Sequence, residues 1–221
     1  MNPLVIFPGH SISLPPRYYG SVGYYAVAAV FESAAVDYGR LFDKRRKEAH
    51  RCDIADKQGT AQLTAAIAKP HGIVRATWRD VRLSDHGAWW HIHRNTLATA
   101  YGRTPFFEFY IDRFEPYLSP EVMHLYPTLP QLLTAIDATL RDCLGIGPDP
   151  GSIPESAIPF EKATARLTPD DLPDYWQVRA DTLGFIAGLS ALDLLFNLGP
   201  EAPLYLRSAG AALAPRIAST L

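Results

Sequence analysis

The densest set of proton-handling side chains lies at 85–95, where Asp85, His86, His91, His93 and Asn95 fall within eleven positions. General acid–base chemistry needs a base to take a proton from an attacking group, and donors to hold the negative charge that develops. Imidazole suits the first task because its ordinary pKa lies near pH 7. Asn and Arg suit the second. Residues two apart on a helix point about 200° apart, so His91 and His93 cannot both face one site. His91 shares a face with Asn95, whereas His93 shares one with Trp90 and Leu97 and reads as core. His91 and His86 are therefore the catalytic candidates, with Asn95 beside them. Asp85 fits a helix N-cap as well as a substrate contact.

Cys52 is a third candidate. Arg51 and the basic run Lys44, Arg45, Arg46, Lys47 precede it and would favour its thiolate. Nucleophilic catalysis through it would need a base close in space, such as His86, His91 or His50. A small buried residue on a strand is the plainer account of the same position. Arg51, Arg79 and Arg82 are candidate clamps for phosphate or carboxylate, and the basic run reads as a solvated edge or a phosphate contact. Tyr18, Tyr24 and Tyr25 can stack on a sugar or anchor the first helix. Zinc accepts ligand types such as Asp85, His86 and His91, yet neither His-Glu-x-x-His nor paired Cys-x-x-Cys occurs. No metal site is assigned, and the cofactor is left unnamed. A P-loop, a dinucleotide fingerprint after a strand and a Gly-x-Ser-x-Gly elbow are all missing from the sequence.

These side chains must be positioned by short elements. Alternation predicts a strand at 11–14, stopped by Pro15 and Pro16, then a helix at 22–32. Strands follow at 61–67 and 81–84. A helix at 88–101 ends at Gly102, and the aromatics of 106–117 read as core. Apolar steps of three and four predict a helix at 128–144, opened by a Thr128/Gln131 capping box and closed by Gly145. Six prolines make 146–173 a long loop, a common form for lids and linkers. Ser190 with Asp193 reads as a second capping box, before a helix at 192–198. A terminal helix is expected at 207–221. Strands cluster early and helices late, which favours α+β, or a mixed α/β fold: a single domain over 1–221, with a small mixed sheet flanked by four or more helices.

The 221 residues are 48% hydrophobic, enough for one substantial core, and the net charge of −2 argues against nucleic-acid binding. Two cysteines make no secreted disulfide framework. Neither a signal peptide nor an apolar stretch of membrane-spanning length is read from the sequence, so the expected location is cytoplasmic.

Three blocks resemble a known family. Trp78-Arg79-Asp80-Val81-Arg82-Leu83-Ser84-Asp85-His86-Gly87-Ala88-Trp89, continued by Trp90-His91-Ile92-His93-Arg94-Asn95, is similar to the signature block of WbqC-like proteins. Pro16-x-Tyr18 and Gly23-Tyr24-Tyr25 resemble the family's N-terminal segment. Tyr175-Trp176-Gln177 and 189–201 resemble the C-terminal block of the version common in Bacteroidetes. The sequence departs from the family at Pro15, where a Gln is usual. It departs again at Glu48-Ala49-His50-Arg51-Cys52, where only Arg51 and Cys52 of Tyr-Arg-Asn-Arg-Cys survive. The resemblance implies a bacterial protein of O-antigen (surface-polysaccharide) biosynthesis. It implies an acyl or aminoacyl (glycine-type) transferase with an activated acyl donor, acting on an amino sugar or nucleotide-sugar. The sequence leaves two rivals open. One is a non-enzymatic binding or scaffold protein with an exposed apolar patch at 106–117. The other is a metal-dependent hydrolase.

Overall fold

A computed structural model describes residues 4–221. β1 (Phe7–Leu14) starts four residues before the alternating stretch, and its last three residues are buried. Pro15 and Pro16 lack the N–H that would extend it. Ser21 caps α1 (Val22–Val30) by accepting the Tyr24 backbone N–H at 3.2 Å. The helix stops short of 32. Phe31 is already extended and opens β2 (Phe31–Val36) with no intervening loop. Pairing decides the point of change, since β2 runs parallel to β1 with Ile12 opposite Ala34 and Leu14 opposite Val36.

β3 (Arg51–Asp56) and β4 (Gly59–Thr64) form an antiparallel hairpin, and β5 (Ile67–Ala68) pairs with β6 (Arg82–Leu83). The stretch expected as one strand at 61–67 is thus divided between two sheets. Helices follow: α2 (Trp89–Tyr101), α3 (Phe107–Tyr110), α4 (Val122–Leu125) and α5 (Leu129–Leu144). The Thr128/Gln131 capping box is present on α5, and Gly145 ends the helix at φ 66°. The proline-rich stretch is not all loop. It holds β7 (Ile158–Pro159), which pairs with β1 and completes the sheet order β2-β1-β7, and then α6 (Phe160–Ala163). The edge position tolerates Pro159.

α7 (Ala180–Leu183), α8 (Ala191–Leu198) and α9 (Ala202–Ala218) complete the chain. α9 starts ahead of 207 because Pro203 fits a first helical turn. The box expected at α8 does not form. Ser190 accepts the Leu192 N–H at 3.2 Å. The buried Asp193 carboxylate instead accepts Tyr101 Oη (2.8 Å), Tyr175 Oη (2.6 Å) and Gln177 Nε2 (3.0 Å).

The fold is mixed α/β, with small sheets among packed helices. α1 is buried on almost every side, and α9 crosses it closely: a Cβ on Gly210 would stand 2.5 Å from Val30 Cγ1. One continuous apolar core reaches from Leu4 to Ile217.

Candidate functional site

β1 is the middle strand of a parallel sheet, and ligands of such sheets gather beyond the strands' carboxyl ends. There the chain turns through residues 15–21 into α1. Tyr19 adopts φ 42°, rare for a bulky residue and a form of strain that clusters at binding loops. Gly20 follows where a Cβ would lie 2.7 Å from Tyr24 Cδ1. The turn is clamped from both sides. Tyr18 N–H donates to Glu48 O at 3.0 Å, and Ala191 N–H to Gly20 O at 2.9 Å.

This turn forms one wall of a cavity of about 280 Å³, between β3, the 160–172 segment and Ser190. Tyr18, Tyr24, Phe160 and Leu172 give it an apolar lining, and Arg17, Glu48, Arg51 and Asp53 charge its edge. Arg51 and Asp53 lie two apart on β3 and so share a face. Gln62, opposite Asp53 on β4, joins them: Arg51 Nη1 donates to Gln62 Oε1 at 3.1 Å, and Gln62 Nε2 to Asp53 Oδ1 at 3.0 Å. Arg51 Nε is buried and has no acceptor among the described residues. The Tyr19 hydroxyl, next to that of Tyr18, also completes no hydrogen bond in ordinary geometry.

Of the residues singled out from sequence, Arg51, Cys52, Tyr18 and Tyr24 line the cavity. Tyr24 donates to Pro15 O at 3.2 Å. Tyr18 meets His93 Nδ1 at 2.9 Å, and His93 also faces the Thr64 carbonyl, which suits an Nδ1 that accepts from the phenol. Burial pushes His93 down to about 4, so the ring is neutral near pH 7. Cys52 is buried. Loss of solvent first, then the charge of Asp53, pushes its thiol up, opposite to the depression expected from Arg51 and the basic run. Tyr25 turns away and donates to Asp137 at 2.9 Å.

The α2 candidates lie elsewhere. His91 and Asn95 share a helix face as expected, with Asn95 Nδ2 3.1 Å from His91 Nε2, but that face is exposed and does not line the cavity. His86, Asp85 and Arg82 are exposed and absent from its lining. Asp85 makes no capping bond. Ala88, at φ 44°, precedes α2 instead. Among the described residues, no group of three or more His, Cys, Asp or Glu is placed to hold a metal ion. None of their helices is long and apolar enough to cross a membrane. In the 106–117 segment Phe107, Tyr110, Phe114 and Tyr117 are buried and Phe109 is exposed, so most of the expected apolar patch is core.

Sequence reasoning missed Asp53 and Gln62. The available signal was the strand period of two from Arg51, which required recognising β3 as a strand facing a hairpin partner. A family model, that of the WbqC-like protein family, matches residues 16–163. Among curated proteins and solved structures, none matches the chain.

Proposed function

The chain belongs to the WbqC-like protein family, and we propose that it transfers an acyl or aminoacyl group from an activated donor to the amine of an amino sugar held in the cavity. The observation that carries this reading is Arg51, which lines the cavity and whose buried Nε–H has no acceptor among the described residues. A buried donor of this kind is completed by an ordered water or by an oxygen from a ligand. A cationic N–H is also suited to the oxyanion of a tetrahedral acyl-transfer intermediate. The tyrosine lining suits the carbon face of a sugar ring.

In this reading the amine nitrogen attacks the acyl carbonyl carbon, and the bond to the donor's leaving group breaks, with the electron pair leaving on that group. Asp53 takes the amine proton, Arg51 holds the oxyanion, and Gln62 keeps the two side chains in register. Cys52 serves as wall, because a thiol pushed up by burial supplies little nucleophilic thiolate.

The test is N-acetylation or N-glycylation of glucosamine by activated donors, followed by mass spectrometry. Arg51→Ala and Asp53→Asn should each lower kcat/KM about 100-fold or more, while Cys52→Ser and His91→Ala stay within a few-fold of the parent. Loss of turnover in His91→Ala with Arg51→Ala intact would move the chemistry to the exposed face of α2.

A further inference from the structure

A second cavity, of about 300 Å³, adjoins the first. The two share Arg17 and Glu48, whose side chains pair at 3.3 Å, so a single ion pair forms the waist between them. The second cavity is built where residues 40–42 run beside 76–78: Phe42 N–H donates to Ala76 O, and Trp78 N–H to Arg40 O. Pro15, Pro16 and the Trp78 indole supply its apolar side.

The charges on its wall are unequally committed. Arg40 is fixed, donating to Glu161 Oε1 at 2.7 Å and to Ser13 O and Oγ at 3.0 and 3.1 Å. Asp43 is occupied by Arg45, at 2.9 Å from its backbone N–H and 3.1 Å from its Nε. Arg46 reaches Glu161 only at 3.9 Å and is exposed. Lys44 and Lys47, exposed neighbours in the same run, add positive charge nearby. Glu161, Asp43 and Glu48 each have another arginine at shorter range, in Arg40, Arg45 and Arg17, whereas Arg46 lies near all three carboxylates with its ion pair to Glu161 no closer than 3.9 Å.

We infer that the second cavity is the subsite for a phosphate group, and that one ligand spans both cavities across the Arg17–Glu48 pair. The choice of an amino sugar for the other end rests on the function proposed above; the phosphate subsite does not. The acceptor would then be a phosphate-linked amino sugar, with Arg46 and Arg17 as its anion contacts. Guanidinium pairs with phosphate through two parallel N–H groups, and Arg17 can exchange Glu48 for that stronger partner.

The experiment is calorimetric titration of the full chain with three probes: inorganic pyrophosphate, glucosamine and glucosamine 1-phosphate. Pyrophosphate should bind the parent, and Arg46→Ala should weaken it about tenfold or more. Arg17→Lys should weaken it less, and Arg207→Ala, exposed on α9, not at all. Glucosamine 1-phosphate should bind about tenfold tighter than glucosamine, a gap that Arg46→Ala closes and Arg51→Ala preserves. Three results would overturn the subsite: no binding of millimolar pyrophosphate, binding indifferent to Arg46→Ala, or binding lost in Arg51→Ala alone. Pyrophosphate binding that responds to Arg46, without any acyl transfer, would keep the subsite and remove the transferase reading.

Discussion

Arg51 shows how a side chain can stand out in the sequence while its company does not. Its guanidinium marked it as a candidate anion clamp, and it lines the cavity. Its partners Gln62 and Asp53 were invisible without the register of the β3–β4 hairpin. His91 and Asn95 illustrate the converse. Helical periodicity paired them, and they do meet, but periodicity does not say whether a face looks into a hollow. Histidines also carry a pH dependence. Burial lowers both His50 and His93 to about 4; in the unfolded chain each titrates near its ordinary value. Between about pH 4 and 6.5 the unfolded state therefore binds more protons, and stability rises with pH through that window. The contribution is complete above the unfolded value and is lost on acidification. Urea midpoints measured at pH 7 and pH 5 should fall clearly for the parent and fall less for His93→Gln. An equal fall would show that His93 is not held neutral by the fold.

At the scale of elements, strong periodicity was legible and pairing was not. α5 carries apolar steps, a capping box and a terminal glycine, and it forms over 129–144 as those signals require. β7 has two residues in a proline-rich stretch, and only its place beside β1 makes it a strand. Asp193 misled for a related reason: its spacing from Ser190 fits a cap, but three donors from other segments claim the buried carboxylate. The α1–α9 crossing depends on small side chains. Gly210→Val would drive a branched side chain into Val30 and Ala26. The overpacking should cost about 2–3 kcal/mol, lowering Tm by roughly 5–10 °C for a chain of this size. A thermal melt within a degree of the parent would mean that the two helices have room to separate.

For the whole molecule, the family match ends at residue 163, but the core does not. Leu192, Leu194, Phe196, Leu206, Leu213 and Ile217 belong to the same apolar cluster as α1. Asp193 ties β3, through Tyr101 and the Ala55 N–H, to Tyr175 and Gln177 of the C-terminal third. A chain cut after Ala163 would expose the faces of α1 that α8 and α9 cover. It should lose cooperative melting and bind a hydrophobic dye, whereas a sharp transition would establish 1–163 as an independent unit.

The direct passage of α1 into β2 has a mechanical consequence. Most helices hand their chain to a strand through a few residues that can bend, but Val30 and Phe31 leave no such slack. A displacement at the Ser21 end, which lines the cavity, reaches the sheet through the Val30–Phe31 junction alone. The cavity wall formed by α1 is thereby joined to the sheet without a hinge between them.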